Sequence, residues 1–506
     1  MAAAGKEWNV LFTSPLSKSL SVLFFILAIY LCGTEFYLWK GIAKSPVTRP
    51  PWWSQYYVED EDSALEADPK LNVEQPLNLS LLWLAPFKTG SGYGVEATGF
   101  VQSIQGDISR LNIFQWGEFE SESYLKVLDK DTRELLDRLW SEPNQVQPLV
   151  DYLKASAEGN RPPFIPSEKL STPFDVLVAH IHPGGWIDQL KGMGKYRIGR
   201  TMFETDRIPN GWVDRFYATM HELWVPSSFT KNQFIAGGLE SSRIHVIPQP
   251  IERSLFQTCN QSFHDPSFVV SKSWRSTFRT CHPDDFIFLS VFKWEPRKGV
   301  EFLLDAYFHE FQSTDKVCLV MLTSFRASVG NEQSVAQLVE LVAKNVSSQP
   351  ARYWIIPDTV SPSEMASLYL SADAFVLPSR GEGWGRPLME AMACGLPVIG
   401  TGWGAPLTFM NDSNSFLIPV AQWDRIAPGQ SPELGEAFWG HLWALPDVQK
   451  LREIMRTVMK KPRKAKEKAR KGQEEVLQKY QPNAIRKKVL RRLIQIMSNN
   501  ISESLG

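Results

Sequence analysis

Leu377 to Thr401 reads LPSRGEGWGRPLMEAMACGLPVIGT, and this stretch decides how the rest of the 506-residue chain is read. Ala374–Leu377 (AFVL) is a short apolar run closed by Pro378, the pattern of a buried parallel strand. Gly381, Gly383 and Gly385 then form a loop whose backbone can approach a ligand closely. The spacing predicts a helix beginning at Pro387, since proline suits the first helical position, and ending at Gly395. VIG opens the next strand. The free N–H groups and positive dipole end of such a helix make an anion site at the mouth of the loop. Two carboxylates, Glu382 and Glu390, flank the turn. In the first helical turn Glu390 is placed either to reach ribose hydroxyls or simply to complement the helix dipole, worth about 0.3–1 kcal/mol.

Working outward, short apolar runs alternate with amphipathic stretches in two series. LSLLWLAPF, LNIF, FDVLVAHI, YRIGRTMF, ELWVPSS and IHVIPQP fall between Leu79 and Gln257; FIFLSVF, VCLVMLTS, YWIIP, AFVLPS, LPVIGT and SFLIP follow from Asp285. Such alternation implies doubly wound parallel sheets, one per series, facing each other across a cleft. Ligands then belong at the carboxyl ends of the strands. The expected division is residues 79–257 and 285–460 for the two Rossmann-like domains, with a connector at 258–284. A basic segment closes the chain at 461–506. Its Ile485, Val489, Leu493 and Ile496 form one apolar stripe, suited to packing on the first domain or to a membrane surface.

Bulk properties agree with a globular body: 43% hydrophobic, 22% charged, formal net charge −1. Lys460 to Arg492 holds fourteen Lys/Arg against three Glu. No zinc spacing, helix-turn-helix pattern or aromatic-interleaved groove accompanies them, so nucleic acid is not the expected partner. Leu20–Thr34 is almost wholly apolar, and the span extends to Lys40 if Glu35 lies at an interface beside Tyr37 and Trp39. A bilayer needs about 20 apolar residues. The segment 20–40 therefore reads as a signal anchor behind a cytosolic 1–19, with a cleaved signal peptide and a buried helix as alternatives. The proline-rich, acidic residues 41–78 read as a stem. Asp60-Glu61-Asp62 sits in that stem and follows no strand, which argues against metal binding. Sequons at Asn78, Asn260, Asn345, Asn411 and Asn500 permit a lumenal body. Cys259 and Cys281 flank the connector and are placed to pair in an oxidising lumen.

Chemistry-bearing residues cluster after the strands. FKWEPRKG (292–299) offers Lys293, Arg297 and Lys298 to a diphosphate, or is a solvated basic turn. TGSGYG puts Gly90, Gly92 and Gly94 after the first strand. HIHPGGW follows the third, with His180 expected in the core and His182 outward. Glu204 and Asp206 follow the fourth and are weak acceptor candidates. TGWGAP (401–406) offers backbone amides to phosphate or sugar. No histidine or cysteine has metal-ligand spacing, so no metal and no cofactor are expected.

The glutamate pair, the Gly-Trp-Gly turn and the A-M-A-C-G-L-P-V sequence resemble the donor-binding signature of family-four retaining glycosyltransferases of the GT-B fold. The resemblance is strongest over 361–401, good over 286–305, and spans most of 80–480. It implies a fold of two Rossmann-like domains and a nucleotide-sugar donor (UDP- or GDP-sugar). The acceptor would be a glycan, lipid or protein. By the same resemblance Glu390 holds the ribose and Glu382 faces the transferred sugar. Gly92, Gly383, Trp384 and Gly385 border the donor, Lys298 and Lys293 grip the diphosphate with Arg297 in support, and His182 lies near the sugar. Lys293 stands where the family carries arginine, and lysine lacks the bidentate fork. The resemblance also implies that the last helix crosses back to the first domain. With the apolar anchor it describes a type II enzyme of the Golgi or endoplasmic reticulum membrane. The alternative is a non-catalytic nucleotide-sugar-binding subunit of a membrane transferase complex.

Overall fold

The computed structural model describes residues 75–158, 173–265, 267–268, 273–324, 332–356, 360–428 and 435–503. The candidate anchor 20–40, nearly all of the stem and Asp60-Glu61-Asp62 lie outside the described residues. Within them, no helix is long and apolar enough to cross a membrane.

In chain order the first domain comprises β1 (Leu77–Ala85), α1 (Gly92–Ile104), β2 (Ile108–Gln115), α2 (Glu122–Val127), α3 (Lys130–Leu139), α4 (Gln147–Ala157), β3 (Phe174–His180), β4 (Gly194–Arg200), α5 (Trp212–Thr219), β5 (Glu222–Val225), α6 (Ser228–Ala236) and β6 (Ile244–Val246). After α7 (Arg253–His264), the second domain follows with β7 (Phe286–Lys293), α8 (Val300–Glu310), β8 (Val317–Ser324), α9 (Glu332–Val346), β9 (Arg352–Ile356), α10 (Pro362–Leu370), β10 (Ala374–Leu377), α11 (Arg386–Ala393), β11 (Val398–Thr401) and β12 (Phe416–Ile418). The hairpin β13 (Val420–Arg425) and β14 (Leu442–Pro446) leads to α12 (Val448–Lys460), α13 (Pro462–Lys479) and α14 (Pro482–Glu503).

Strands such as LSLLWLA and VCLVML are apolar on both faces because helices cover both sides of a parallel sheet. The first sheet runs β2-β1-β3-β4-β5-β6 and the second β12-β11-β10-β7-β8-β9. The order reverses between β1 and β3 in one and between β7 and β10 in the other. Crevices open at such reversals.

α14 packs on α1, far back in sequence. Ile485, Val489 and Leu493 are fully buried and Ile496 is 2% exposed, so the stripe is spent inside the protein and is not offered to a membrane. Two of the basic residues on this helix make ion pairs with the first domain: Arg486 with Asp107 and Arg492 with Glu222. α13, in contrast, lies on α11 of the second domain, so the closing segment 461–506 divides between the two bodies. The proposed connector 258–284 is also not one loop: α7 runs into it to His264 and packs against α10 and α11.

Cys259 and Cys281 do not pair with each other. Cys259 bonds Cys394 at the end of α11, and Cys281 bonds Cys318 in β8. Folding brings α7 under α11, which no spacing argument reveals. These bridges close sequence separations of 135 and 37 residues. Each such bridge contributes about 2–4 kcal/mol, mainly by restricting the unfolded chain. Peptide mapping without reductant should recover Cys259–Cys394 and Cys281–Cys318 linked peptides. Free thiols at these four positions, or a Cys259–Cys281 peptide, would contradict the packing of α7.

Candidate active site in the interdomain cleft

Pro378 ends β10, and the loop to Gly385 turns back toward the first domain. It comes so close that a Cβ on Gly381 would stand 2.1 Å from the carbonyl oxygen of Glu204. Gly385, in the left-handed region, is the N-cap of α11. The helix therefore starts at Arg386, with Pro387 second, not first. Glu390 consequently lies in the second turn. It is 9% exposed and lines the cleft.

At the other side of the strand reversal, β7 ends at Lys293 and a 3-10 turn covers Pro296–Lys298. The two loops meet at the reversal point. Arg380 N donates to Arg297 O at 2.7 Å, and Arg297 Nη1 donates to Gly381 O at 2.8 Å. Lys298 Nζ then lies 2.7 Å from Glu382 Oε1, and Arg297 Nη1 lies 3.0 Å from Glu382 Oε2. Arg297 also contacts Glu295 Oε1 at 2.6 Å and, across the domains, Glu204 Oε1 at 3.4 Å.

Two cations and three carboxylates thus share one partly dry pocket. Burial pushes the Glu382 carboxyl up, but Lys298 and Arg297 outweigh it and hold it below the ordinary range. Burial lowers the Lys298 ammonium, with Arg297 adding repulsion and Glu382 opposing both. Glu204 is raised by burial, which the pull of Arg297 only partly offsets. A further cation, Lys293, is half-buried on the cleft wall and has no ion pair among the described residues.

Glu390 is held from two sides. Tyr369 donates its hydroxyl to Oε2 at 3.0 Å, and Arg386 Nη2 approaches Oε1 at 3.2 Å. Carboxylate oxygens keep spare lone pairs, so further donors such as ribose hydroxyls can still bind. Gly92, Gly383 and Gly385 also line the cleft, whose volume is about 1020 Å³. That is at the upper end of ordinary ligand pockets, about 300–1,000 Å³.

Trp384 also borders the cleft, while its side chain, 1% exposed, packs inward against Phe409 and Tyr480 and braces the loop. Two candidates are placed otherwise than the sequence suggested. Asp206 does not line the cleft. Its Oδ1 accepts from Leu442 N at 2.6 Å, tying the first domain to β14, so it is a structural clasp instead of an acceptor contact. His182 is solvent-exposed outside the cleft lining, on the side of Glu118. Three of the TGWGAP amides are engaged within the fold: Gly402 N with Ile418 O, Trp403 N with Thr401 O, and Ala405 N with Glu382 O.

His180 is fully buried, with Nε2 3.1 Å from Glu96 Oε2 and Nδ1 accepting from Trp83 Nε1 at 3.2 Å. Glu96 is also paired with buried Arg200. Sequence reasoning missed Arg386, Tyr369 and Glu295. Arg386 stands inside the signature and was legible there as a cation four residues before Glu390. Among the described residues, no three His, Cys, Asp or Glu side chains are grouped to hold a metal.

Residues 283–428 match the family Glycosyl transferases group 1. That match covers the part of the second domain that carries Lys298, Glu382 and Glu390. Among curated proteins, the chain is similar to O-antigen chain mannosyltransferase B of Escherichia coli. The identity is 37% over 102 residues, 20% of this chain and 24% of that protein. It is also similar to alpha-galactosylglucosyldiacylglycerol synthase of Streptococcus pneumoniae, 24% identical over 239 residues, 44% of this chain and 59% of that one. The matched region spans less than two thirds of either relative. Among solved structures, Anabaena HepE in complex with UDP and glucose superposes with a TM-score of 0.57 at 14% identity, over 83% of this chain and all of that chain. A glycosyltransferase from Rickettsia africae gives 0.57 at 15% identity, over 84% and 100%. These likenesses show the two-domain GT-B fold.

Glu382→Gln should destabilise the protein by about 1–3 kcal/mol at neutral pH, the cost of leaving a buried partner unsatisfied. A carboxyl with a lowered folded pKa adds stability above its unfolded value, here 4.5, and loses it as pH falls through the lower folded value. Urea titrations of both proteins should therefore show the gap closing as pH drops below 4.5. A gap that widens on acidification would contradict this charge arrangement.

Proposed function

We propose that the chain is a metal-independent, retaining glycosyltransferase that moves a sugar from a UDP- or GDP-sugar to an acceptor bound against the first domain. The observation that carries this reading is the meeting of Lys298 and Glu382 at the strand reversal of the group 1 domain, with unpaired Lys293 beside them. A departing nucleoside diphosphate develops negative charge, which fixed cations in a dry site stabilise strongly. Lys298, Arg297 and Lys293 supply those cations without a bound ion. Glu390, held in orientation by Tyr369 and Arg386, accepts the ribose hydroxyls. Glu382 releases Lys298 toward the phosphate and turns to the hydroxyls of the transferred sugar. The bond from the anomeric carbon to the phosphate oxygen breaks as the acceptor oxygen bonds on the same face, and the acceptor proton passes to the departing phosphate. UDP is favoured over GDP because the HepE structure of the same fold holds UDP.

We further propose a membrane-anchored, lumenal body of the Golgi or endoplasmic reticulum. Two disulfides support an oxidising compartment. Exposed sequon asparagines at 78, 345 and 411 and the apolar span 20–40 are consistent with it.

Incubation of the full chain with a panel of nucleotide sugars and glycan acceptors should release nucleotide. Turnover should survive a chelator and leave the anomeric configuration unchanged by NMR. Lys298→Ala and Glu390→Gln should each lower turnover by about 10²–10³-fold, as removal of one stabilising donor does, while the proteins stay folded. Donor binding without turnover would favour the non-catalytic subunit, and wild-type rates in both variants would sink the site assignment.

A further inference from the structure

The two walls of the cleft differ in charge and in texture. Among the described residues, every basic side chain that lines it belongs to the second domain: Lys293, Arg297, Lys298 and Arg386. Residues 89–255 contribute no Lys, Arg or His to the lining. That wall presents hydroxyls, carboxylates and one unusual residue, Phe119.

Phe119 is 97% exposed, the largest exposure among the big apolar side chains of the described residues. A phenylalanine left in water at a cleft mouth needs a reason, and a loosely held loop is not it. The loop from Trp116 to Ser121 is braced at several points. Trp116 Nε1 donates to Gly185 O at 3.0 Å. The Gln115 amide donates to Glu118 O at 2.8 Å and accepts from Lys88 N at 3.0 Å. Ser121 N donates to Lys88 O at 3.0 Å. Lys88 Nζ pairs with Glu120 at 2.9 Å while stacking over Trp140, 4.1 Å from the ring centroid. The fixed backbone holds the ring out at the cleft edge, with Glu118 next to it and Ser121 and Tyr124 on the same wall.

An exposed aromatic ring beside carboxylate and hydroxyl groups is complementary to a sugar. The apolar C–H face of a pyranose covers the ring, and its hydroxyls bond to Glu118 and the neighbouring hydroxyls. A phosphate would meet Glu118 on a wall that lines the cleft with no basic side chain, the nearby Lys88 ammonium being engaged by Glu120, and like charge disfavours it. We propose that Phe119 is the platform of an acceptor subsite for an uncharged sugar ring, so that the acceptor is a neutral glycan and not a lipid phosphate. This rests on the glycosyltransferase reading, and it narrows the acceptor that reading leaves open.

Saturation-transfer NMR and calorimetry on the full chain test it, using neutral oligosaccharides (xylo-, manno- and galacto-trioses) and their phosphorylated forms, with and without UDP. At least one neutral trisaccharide should bind, and Phe119→Ala should weaken it tenfold or more while Phe119→Trp restores it. Because the side chain is exposed, neither substitution should change the fold or the UDP affinity by more than twofold. Absence of binding by every neutral trisaccharide, equal binding by Phe119→Ala, or preference for the phosphorylated forms would overturn the proposal. Failure of wild-type protein to bind UDP would count against the donor reading alone, since the arm without nucleotide still decides the role of Phe119.

Discussion

Lys298 and Glu382 stand 84 residues apart in sequence and 2.7 Å apart in space. Their ion pair exists because β7 and β10 are neighbours on which the strand order reverses, so the loops leaving them share one crevice. Much of the site depends on that constraint. Arg297 can reach Glu382 and Gly381 only from this turn, and the Gly381 loop is thereby pressed against Glu204 of the other domain. Removing the carboxylate would leave a buried ammonium beside a guanidinium, a costly arrangement in a low-dielectric pocket.

The cleft is also fastened at points away from the chemistry. Asp206 and Thr205 of the first domain bond to Leu442 and His441 at the hairpin. α14 carries Arg486 and Arg492 to Asp107 and Glu222. The chain passes between the domains at two adjacent places, where Ile251 N donates to Tyr480 O at 2.9 Å. The bridge from Cys259 to Cys394 holds α7 against the end of α11, the helix that carries Glu390 and Arg386. Position in the second domain is thus set by covalent and ionic restraints together, while the first domain lines the cleft with no basic side chain among the described residues.

The fold class was legible because buried parallel strands read as short unbroken apolar runs, and runs such as FIFLSVF and AFVL became β7 and β10. The hairpin β13–β14 was not, since QWDR and its partner lack a clean alternation and are fixed by contacts with Asp206 and Arg380. Glu382, Glu390, Lys293, Arg297 and Lys298 were found from local motifs, and all five line the cleft. What sequence spacing cannot give is which way a side chain turns. Trp384 turns inward because Phe409 and Tyr480 form an aromatic nest there, and Asp206 is taken by a backbone N–H more than 200 residues away. The cysteine pairing failed for the same reason, being a consequence of helix packing.

On the proposed function, the Lys298–Glu382 pair marks the place where a nucleotide diphosphate binds. A crystal structure of the protein with UDP measures it most directly. Diphosphate oxygens should lie within hydrogen-bond distance of Lys298 Nζ, with ribose hydroxyls on Glu390 and the Lys298–Glu382 contact lengthened or broken. UDP bound elsewhere, or seated in the cleft with Lys298 still committed to Glu382 and no phosphate contact, would contradict it.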